Sequence, residues 1–249
     1  MPQDFLISNI LGMYLHRPTG EYRLLLHRRS PQRSVIDFLL CRGEIECYVF
    51  ALGSDEPPRR IQWPDAASGL WFRTPALARD SLHWFPEQDQ GESRPVIVFD
   101  TTAESFRQMR APVVPTKSYI FEMDGTLGIY SCNNDMKAVY IWVLQNYEGE
   151  VWECKYQIEL PVAKIRGWFG WREAGDFYVS VVSADRDILL LLSYCGSLFY
   201  VDINGKLVDS FHRDGQHLSA NGLRLKQTLV PHNFFKALED RVVKTPPFI

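Results

Sequence analysis

The stretch SYIFEMDGTLGIYS, residues 118–131, decides the fold. Read as chemistry, an apolar run ends in two acids, Glu122 and Asp124, followed by Gly125 and Thr126. A pair of acids so placed is the kind of arrangement a catalytic site uses. Read as structure, residues 119–123 and 126–130 are two strands joined by Asp124-Gly125. Asp-Gly is a preferred two-residue hairpin turn, because Gly tolerates positive φ and Asp accepts it better than most residues. The first reading predicts an enzyme and the second a β scaffold, so the flanking sequence has to choose.

Strand patterns dominate on both sides. Segments dense in Val, Ile, Leu, Tyr, Phe and Trp are cut by Gly, Asn, Asp or Pro. Five of them share one layout of apolar strand, polar turn and second strand: 13–27, 47–63, 96–109, 139–158 and 198–211. Three are followed by a proline, at Pro64, Pro112 and Pro161. The turns recur at roughly 35–55 residues, which brackets the period of a four-stranded propeller blade. Further strands are expected at 71–73, 81–85, 119–123, 126–131, 177–183 and 188–194. Each unit then holds four strands. The expected fold is all-β: a Kelch-like β-propeller, or an incomplete one, of four-stranded antiparallel blades. Residues 1–249 form one domain, a size within the roughly 200–250 residues common for a single all-β domain. Thr101 to Glu104 also fits a helix capping box, with 103–110 as two helical turns, but turn chemistry in the other copies, such as Asn204-Gly205, argues for strands. One short helix is expected in the C-terminal tail, at 233–243, capped by Asn233.

Composition removes several function classes. A hydrophobic content of 46% indicates a packed core rather than disorder. The net charge of −3 gives no reason to expect nucleic acid or an acidic membrane as partner. Five scattered cysteines without a C-x-x-C pair argue against a disulfide framework and a structural zinc. The N-terminus has no basic segment before an apolar run, so no secretory signal is expected. The apolar run Ile188–Leu192 is far shorter than the roughly 20 residues of a membrane helix. A soluble protein of cytoplasm or nucleus is the expectation.

From Arg79 to Pro161 the ordered series RDSLHWF, RPVIVFDTTAESFRQMRAP, YIFEMDGTLGIYS and VYIWVLQNYEGEVWECKYQIELP resembles the F-box-associated β-propeller domain of plant F-box proteins. PTGEYRLLLHRR and CYVFALGSDEPPRRI are similar to the family's upstream blades, and SLFYVDINGKLVDSF and LRLKQTLVPHNFF to its C-terminal portion. The resemblance implies a non-catalytic module that selects target proteins for an SCF-type ubiquitin ligase. It also implies an F-box, a three-helix module that docks on a Skp-type adaptor. The residues before Met13 are too few for that module, so adaptor binding is expected only of a longer form that carries one. The sequence reads either as a fragment or as a relative without the F-box. Its first blade reads as cut short, with residues 218–230 expected to supply what that blade lacks.

Searches for chemistry return little. No G-x-S-x-G, P-loop, G-x-G-x-x-G or H-E-x-x-H motif occurs. His212 and His217 lie in a polar turn where solvated loop residues are the ordinary reading, and Cys195-Gly196-Ser197 reads as a tight turn between strands. Residues 122–126 resemble the Asp-x-Asp-Gly-Thr signature of haloacid-dehalogenase-like phosphatases. In that family the first acid attacks phosphorus. Here that position is Glu122, whose extra methylene displaces the carboxylate, and errors of ~1 Å cost ~10²-fold. No catalytic residue, cofactor or metal is therefore expected. A carbohydrate-binding propeller is the other alternative. For a protein target, the candidate contacts are Arg166, Trp168, Phe169, Trp171 and Arg172, since aromatics and arginine dominate interface hot spots. The competing reading makes those rings core-facing residues of a blade's first strand, and the way propellers use aromatics favours it.

Overall fold

In the computed structural model, which describes residues 9–29, 45–64, 74–86, 95–114, 118–133, 135–169, 177–184, 187–212 and 218, each strand pairs antiparallel with the next in sequence until four are joined. The first sheet holds β1 (Asn9–His16), β2 (Glu21–Arg29), β3 (Ile45–Ala51) and β4 (Arg59–Ile61). The second holds β5 (Ala76–Ala78), β6 (Ser81–Trp84), β7 (Val96–Asp100) and β8 (Ser105–Met109). The third holds β9 (Ser118–Met123), β10 (Thr126–Cys132), β11 (Ala138–Asn146) and β12 (Val151–Glu159). The fourth holds β13 (Tyr178–Ala184), β14 (Asp187–Tyr194), β15 (Ser197–Val201) and β16 (Leu207–Phe211). One short helix, α1 (Val162–Phe169), follows β12.

The sheets stack in chain order as propeller blades. Three apolar clusters lie between successive sheets. Leu11, Tyr14, Leu25 and Val49 of the first meet Leu82, Trp84, Ile97 and Phe99 of the second. Val96, Val98 and Met109 of the second meet Leu127, Ile129 and Leu144 of the third. Tyr130, Ile141 and Ile158 of the third meet Val179, Leu190, Leu192 and Phe199 of the fourth. The first strands draw near one another, β5 beside β9 and β9 beside β13, as inner strands converging on one axis do. Among the described residues the sheets do not close into a ring.

Turn chemistry explains the hairpins. Asp124 and Gly125 have φ of 47° and 81°, the type I′ geometry that matches strand twist. Register then pairs Thr126 with Met123 and Leu127 with Glu122. Arg79-Asp80 and Cys195-Gly196 make the same two-residue turn, with positive φ throughout. Pro64, Pro112 and Pro161 each follow the fourth strand of a sheet, where a missing N–H stops further pairing.

Several sequence expectations need correction or placing. The hairpins at 13–27 and 47–63 are not separate units, because β2 pairs with β3 from Arg23↔Ala51 to Arg29↔Ile45. The first blade is thus a whole four-stranded sheet rather than one cut short. Residues 162–169 are helical, not the first strand of a blade. The expected strand at 71–73, the tail helix at 233–243 and nearly all of 218–230 lie outside the described residues. Thr101 to Glu104 forms the β7–β8 turn, as the strand reading requires.

Nothing lies within 4 Å of where a Gly125 side chain would begin, so only backbone conformation opposes substitution there. Gly125→Val is expected to lose about 1–2 kcal/mol through enforced positive φ. Asp124→Asn should leave the thermal unfolding midpoint nearly unchanged, since Asn accepts that region equally well.

Candidate protein-recognition surface

Strand alternation sorts the connections into two sets that leave opposite strand ends. The hairpin turns within each blade, 17–20, 52–58, 79–80, 101–104, 124–125, 147–150 and 202–206, are short. The opposite set contains 30–44, 62–75, 85–95, 110–117 and 160–177, which are longer, although 133–137 is short and 195–196 is a tight turn.

The short turns hold the blades against one another. Glu104, at the end of the β7–β8 turn, has φ of 50° and a side chain only 7% exposed. Its carboxylate accepts hydrogen bonds from the Tyr14 hydroxyl at 2.6 Å and the Arg23 guanidinium at 2.7 Å, and pairs with Arg59. These partners stand on β1, β2 and β4, so one acid of the second blade ties three strands of the first. Burial opposes the charge, but the Tyr14 and Arg23 hydrogen bonds and the two guanidiniums outweigh it and hold the Glu104 carboxyl below its ordinary range. Burial, then the adjoining carboxylate, pushes the Tyr14 hydroxyl far above its ordinary range. Arg17 on the β1–β2 turn adds a 2.7 Å ion pair to Asp80.

The next junction repeats the device with other residues. Glu150, ending the β11–β12 turn with φ of 54°, accepts from the Arg110 backbone N–H at 2.9 Å and pairs with Arg107 at 3.5 Å. In the same turn the Tyr147 hydroxyl meets Nε2 of His83 at 2.8 Å, while Arg79 and Arg107 lie over its ring. At the third junction Gly205 presses on the Glu159 carbonyl so closely that a Cβ would collide with it. The twist of each sheet brings the C-terminal end of its outer strand, Arg110 or Glu159, to the next blade's turn.

Helix α1 belongs to the long set. Pro161 precedes its first residue, and Val162, Ile165 and Phe169 recur at helical spacing. Val162 and Ile165 are buried in the cluster between the third and fourth blades. Phe169 packs partly buried against Tyr194, Phe199 and His212. Lys164, Arg166 and Trp168 are exposed, with Trp168 at 51% and the Lys164 ammonium 5.8 Å from its ring. Of the five candidate contacts, then, Arg166 and Trp168 are on the surface, Phe169 anchors the helix, and Trp171 and Arg172 lie outside the described residues. Arg166 also leans over the Phe177 ring at 5.4 Å.

The acids of the opening stretch do structural work. Glu122 Oε1 accepts the Gly125 backbone N–H at 2.9 Å and closes the turn. Strand β9, which carries Glu122, pairs antiparallel with β10, and Asp124 lies in the turn between them, not at the end of the parallel α/β strand that the phosphatase chemistry requires. Cys195-Gly196 is a turn, and the Ser197 hydroxyl is 2.8 Å from Nδ1 of His212. Among the described residues, no three His, Cys, Asp or Glu side chains gather as a metal site. The Glu104 cluster escaped the sequence reading because its members lie up to 90 positions apart. The helix did leave a signal, the apolar spacing of Val162, Ile165 and Phe169 after Pro161.

Burial holds the His83 imidazole down at about 4, against an ordinary 6.5. As pH falls below 6.5 the unfolded chain takes up a proton that the folded one refuses. The stabilising contribution is therefore complete above 6.5 and lost towards pH 4, by about 3 kcal/mol in total. Thermal unfolding of His83→Gln across that range should show a shallower acid decline than the parent. Glu104→Ala should cost on the order of 3 kcal/mol in denaturant unfolding, because it strands buried donors of the first blade.

Comparison with known proteins places this architecture. The sequence profile of the F-box associated beta propeller domain matches residues 18–215. No curated protein matches. Among solved structures, a hypothetical protein from Leishmania major aligns at 12% identity and a TM-score of 0.44, over 84% of this chain and 69% of that one. The structure titled YjhT aligns at 9% identity and a TM-score of 0.41, over 78% of this chain and 63% of that one.

Proposed function

Because the chain belongs to the F-box associated β-propeller domain family, we propose that it binds a target protein as the substrate-recognition part of an SCF-type ubiquitin ligase. The domain is an interaction module of F-box proteins.

The observation that supports a particular surface is the asymmetry of the connections. The short turns are spent on Glu104, Glu150, Tyr147 and Gly205, which hold the blades together. Sequence change there disturbs the stack. The longer connections also touch neighbouring blades, through Trp63, Arg110 and the apolar side of helix α1, but they leave more surface free of those contacts, and loops on a rigid scaffold are where binding specificity is usually built. Helix α1 projects Trp168 and Arg166 from that set on an apolar anchor, so the backbone that presents an exposed aromatic and a cation is held in place. Such residues are the usual hot spots of protein interfaces.

Affinity purification from the native tissue with the full chain should recover a specific target protein. Trp168→Ala together with Arg166→Glu should weaken capture of that target by roughly 30-fold, the equivalent of a hot-spot loss near 2 kcal/mol. The unfolding midpoint should barely move. Undiminished capture by the double variant removes this surface, and selective retention of glycans in place of protein removes the function.

A further inference from the structure

Among the described residues, the first and fourth blades each keep one face that no other sheet covers. Leu11, Tyr14 and Leu25 of the first blade face the second. Strand alternation and register put Ile10, Met13 and Leu15 on the other side. Val179, Phe199 and Val201 of the fourth blade face the third, which leaves Tyr178, Tyr200 and Phe211 on the far side. Ile10, Met13, Leu15, Tyr178 and Phe211 are between 42% and 68% exposed. Apolar side chains clustered in this way on a sheet face mark an interaction site.

The two faces are the unused halves of a junction that the chain makes three times. At each junction the side of one blade that looks forward along the stack meets the side of the next that looks back. The fourth blade has a forward side without a partner sheet, and the first has a backward one. The two blades share no apolar cluster, so one chain does not join its own two faces.

Their charges are complementary. On the outer strand of the first blade, Arg60 stands beside Tyr48, 67% exposed and 3.3 Å from Glu46. On the outer strand of the fourth, Asp209 stands beside Tyr200, and among the described residues its carboxylate accepts only the Ser210 backbone N–H. The turn 52–58 of the first blade corresponds to the turns that carry Glu104 and Glu150. It holds Asp55 and Glu56, whose side chains have no ion pair among the described residues.

We propose that a second copy of this chain occupies both faces. The first blade of each copy packs on the fourth blade of its partner, and two open stacks close into one ring with two-fold symmetry. The area suits such a pair. Four strands spaced about 4.8 Å apart and roughly 20 Å long present roughly 400 Å². The closed pair buries four such faces, roughly 1,600 Å², the size of a stable specific interface.

Light scattering on the purified full chain tests the proposal. The parent is expected at twice the 28.8 kDa of one chain. Met13→Asp and Tyr178→Asp each break both junctions of the pair. Each should raise the dissociation constant by at least 30-fold and leave the unfolding midpoint nearly unchanged, since both side chains are exposed. Mixed together, the two variants keep one intact junction, between the fourth blade of Met13→Asp and the first blade of Tyr178→Asp. A heterodimer should therefore form at concentrations where neither variant associates alone. A parent that stays monomeric at 100-micromolar concentration, on the order of a weak interface, overturns the proposal. So does a variant that still dimerises alone, which would mean like faces pairing, and so does a parent that grows into assemblies larger than two copies.

Discussion

The requirement that an inner sheet bury both of its faces governs this structure. Strand β7 shows it most clearly, with Val96, Ile97, Val98 and Phe99 all at 0% exposure. Val96 and Val98 enter the cluster shared with the third blade, whereas Ile97 and Phe99 enter the one shared with the first. Successive side chains of a strand point to opposite faces, so a sheet between two others has no polar side to spare. Each such side chain contributes roughly 1.5–3 kcal/mol when fully buried, and β7 collects that contribution on both sides. Strand β10 repeats the arrangement, sending Leu127 and Ile129 one way and Tyr130 and Cys132 the other. A chain with such strands has to build a stack.

Apolar contact is non-directional, so it brings sheets together without fixing their relative position. The polar turns supply that position. Glu104 reaches Tyr14, Arg23 and Arg59 from the neighbouring blade, and Tyr147 reaches His83 in the same manner one junction later. A buried charged group is an uncertain source of net stability, because desolvation offsets much of the attraction. Its more secure consequence is selectivity. A slipped arrangement would leave the Glu104 carboxylate without donors in a place where water reaches it poorly. Glu104 and Glu150 both sit at positive φ, so the turn conformation and the inter-blade contact depend on each other.

Functional division follows from this use of the turns. One set of connections supplies the acids and the tyrosine that fasten the blades, and the other is mostly longer and carries helix α1. The helix shows how a recognition element attaches to such a scaffold. Val162, Ile165 and Phe169 secure it in the cluster between two blades, and the residues between them face outward. The same spacing accounts for the mixed outcome of the aromatic stretch, in which Phe169 turns inward while Trp168, one residue earlier, remains half exposed.

The sequence by itself determined the hairpins. Asp124-Gly125 and Cys195-Gly196 carry turn chemistry that acts through adjacent residues, and the flanking alternation sets which side chains share a face. The all-β class and the four-stranded unit follow from repeating that local reading. Only the tertiary structure decided that 13–27 and 47–63 share one sheet, because the pairing of β2 with β3 spans residues 30–44, a connection far longer than the tight turns whose chemistry specifies a hairpin. It also decided that 162–169 is a helix, since a short apolar segment takes its form from what its apolar side packs against. The Glu104 junction belongs to the same class: a carboxylate in a turn is ordinary in sequence, and it becomes a fastening only when distant strands bring Tyr14, Arg23 and Arg59 to it. Local geometry is set by neighbours along the chain, whereas burial and charge pairing are set by neighbours in space.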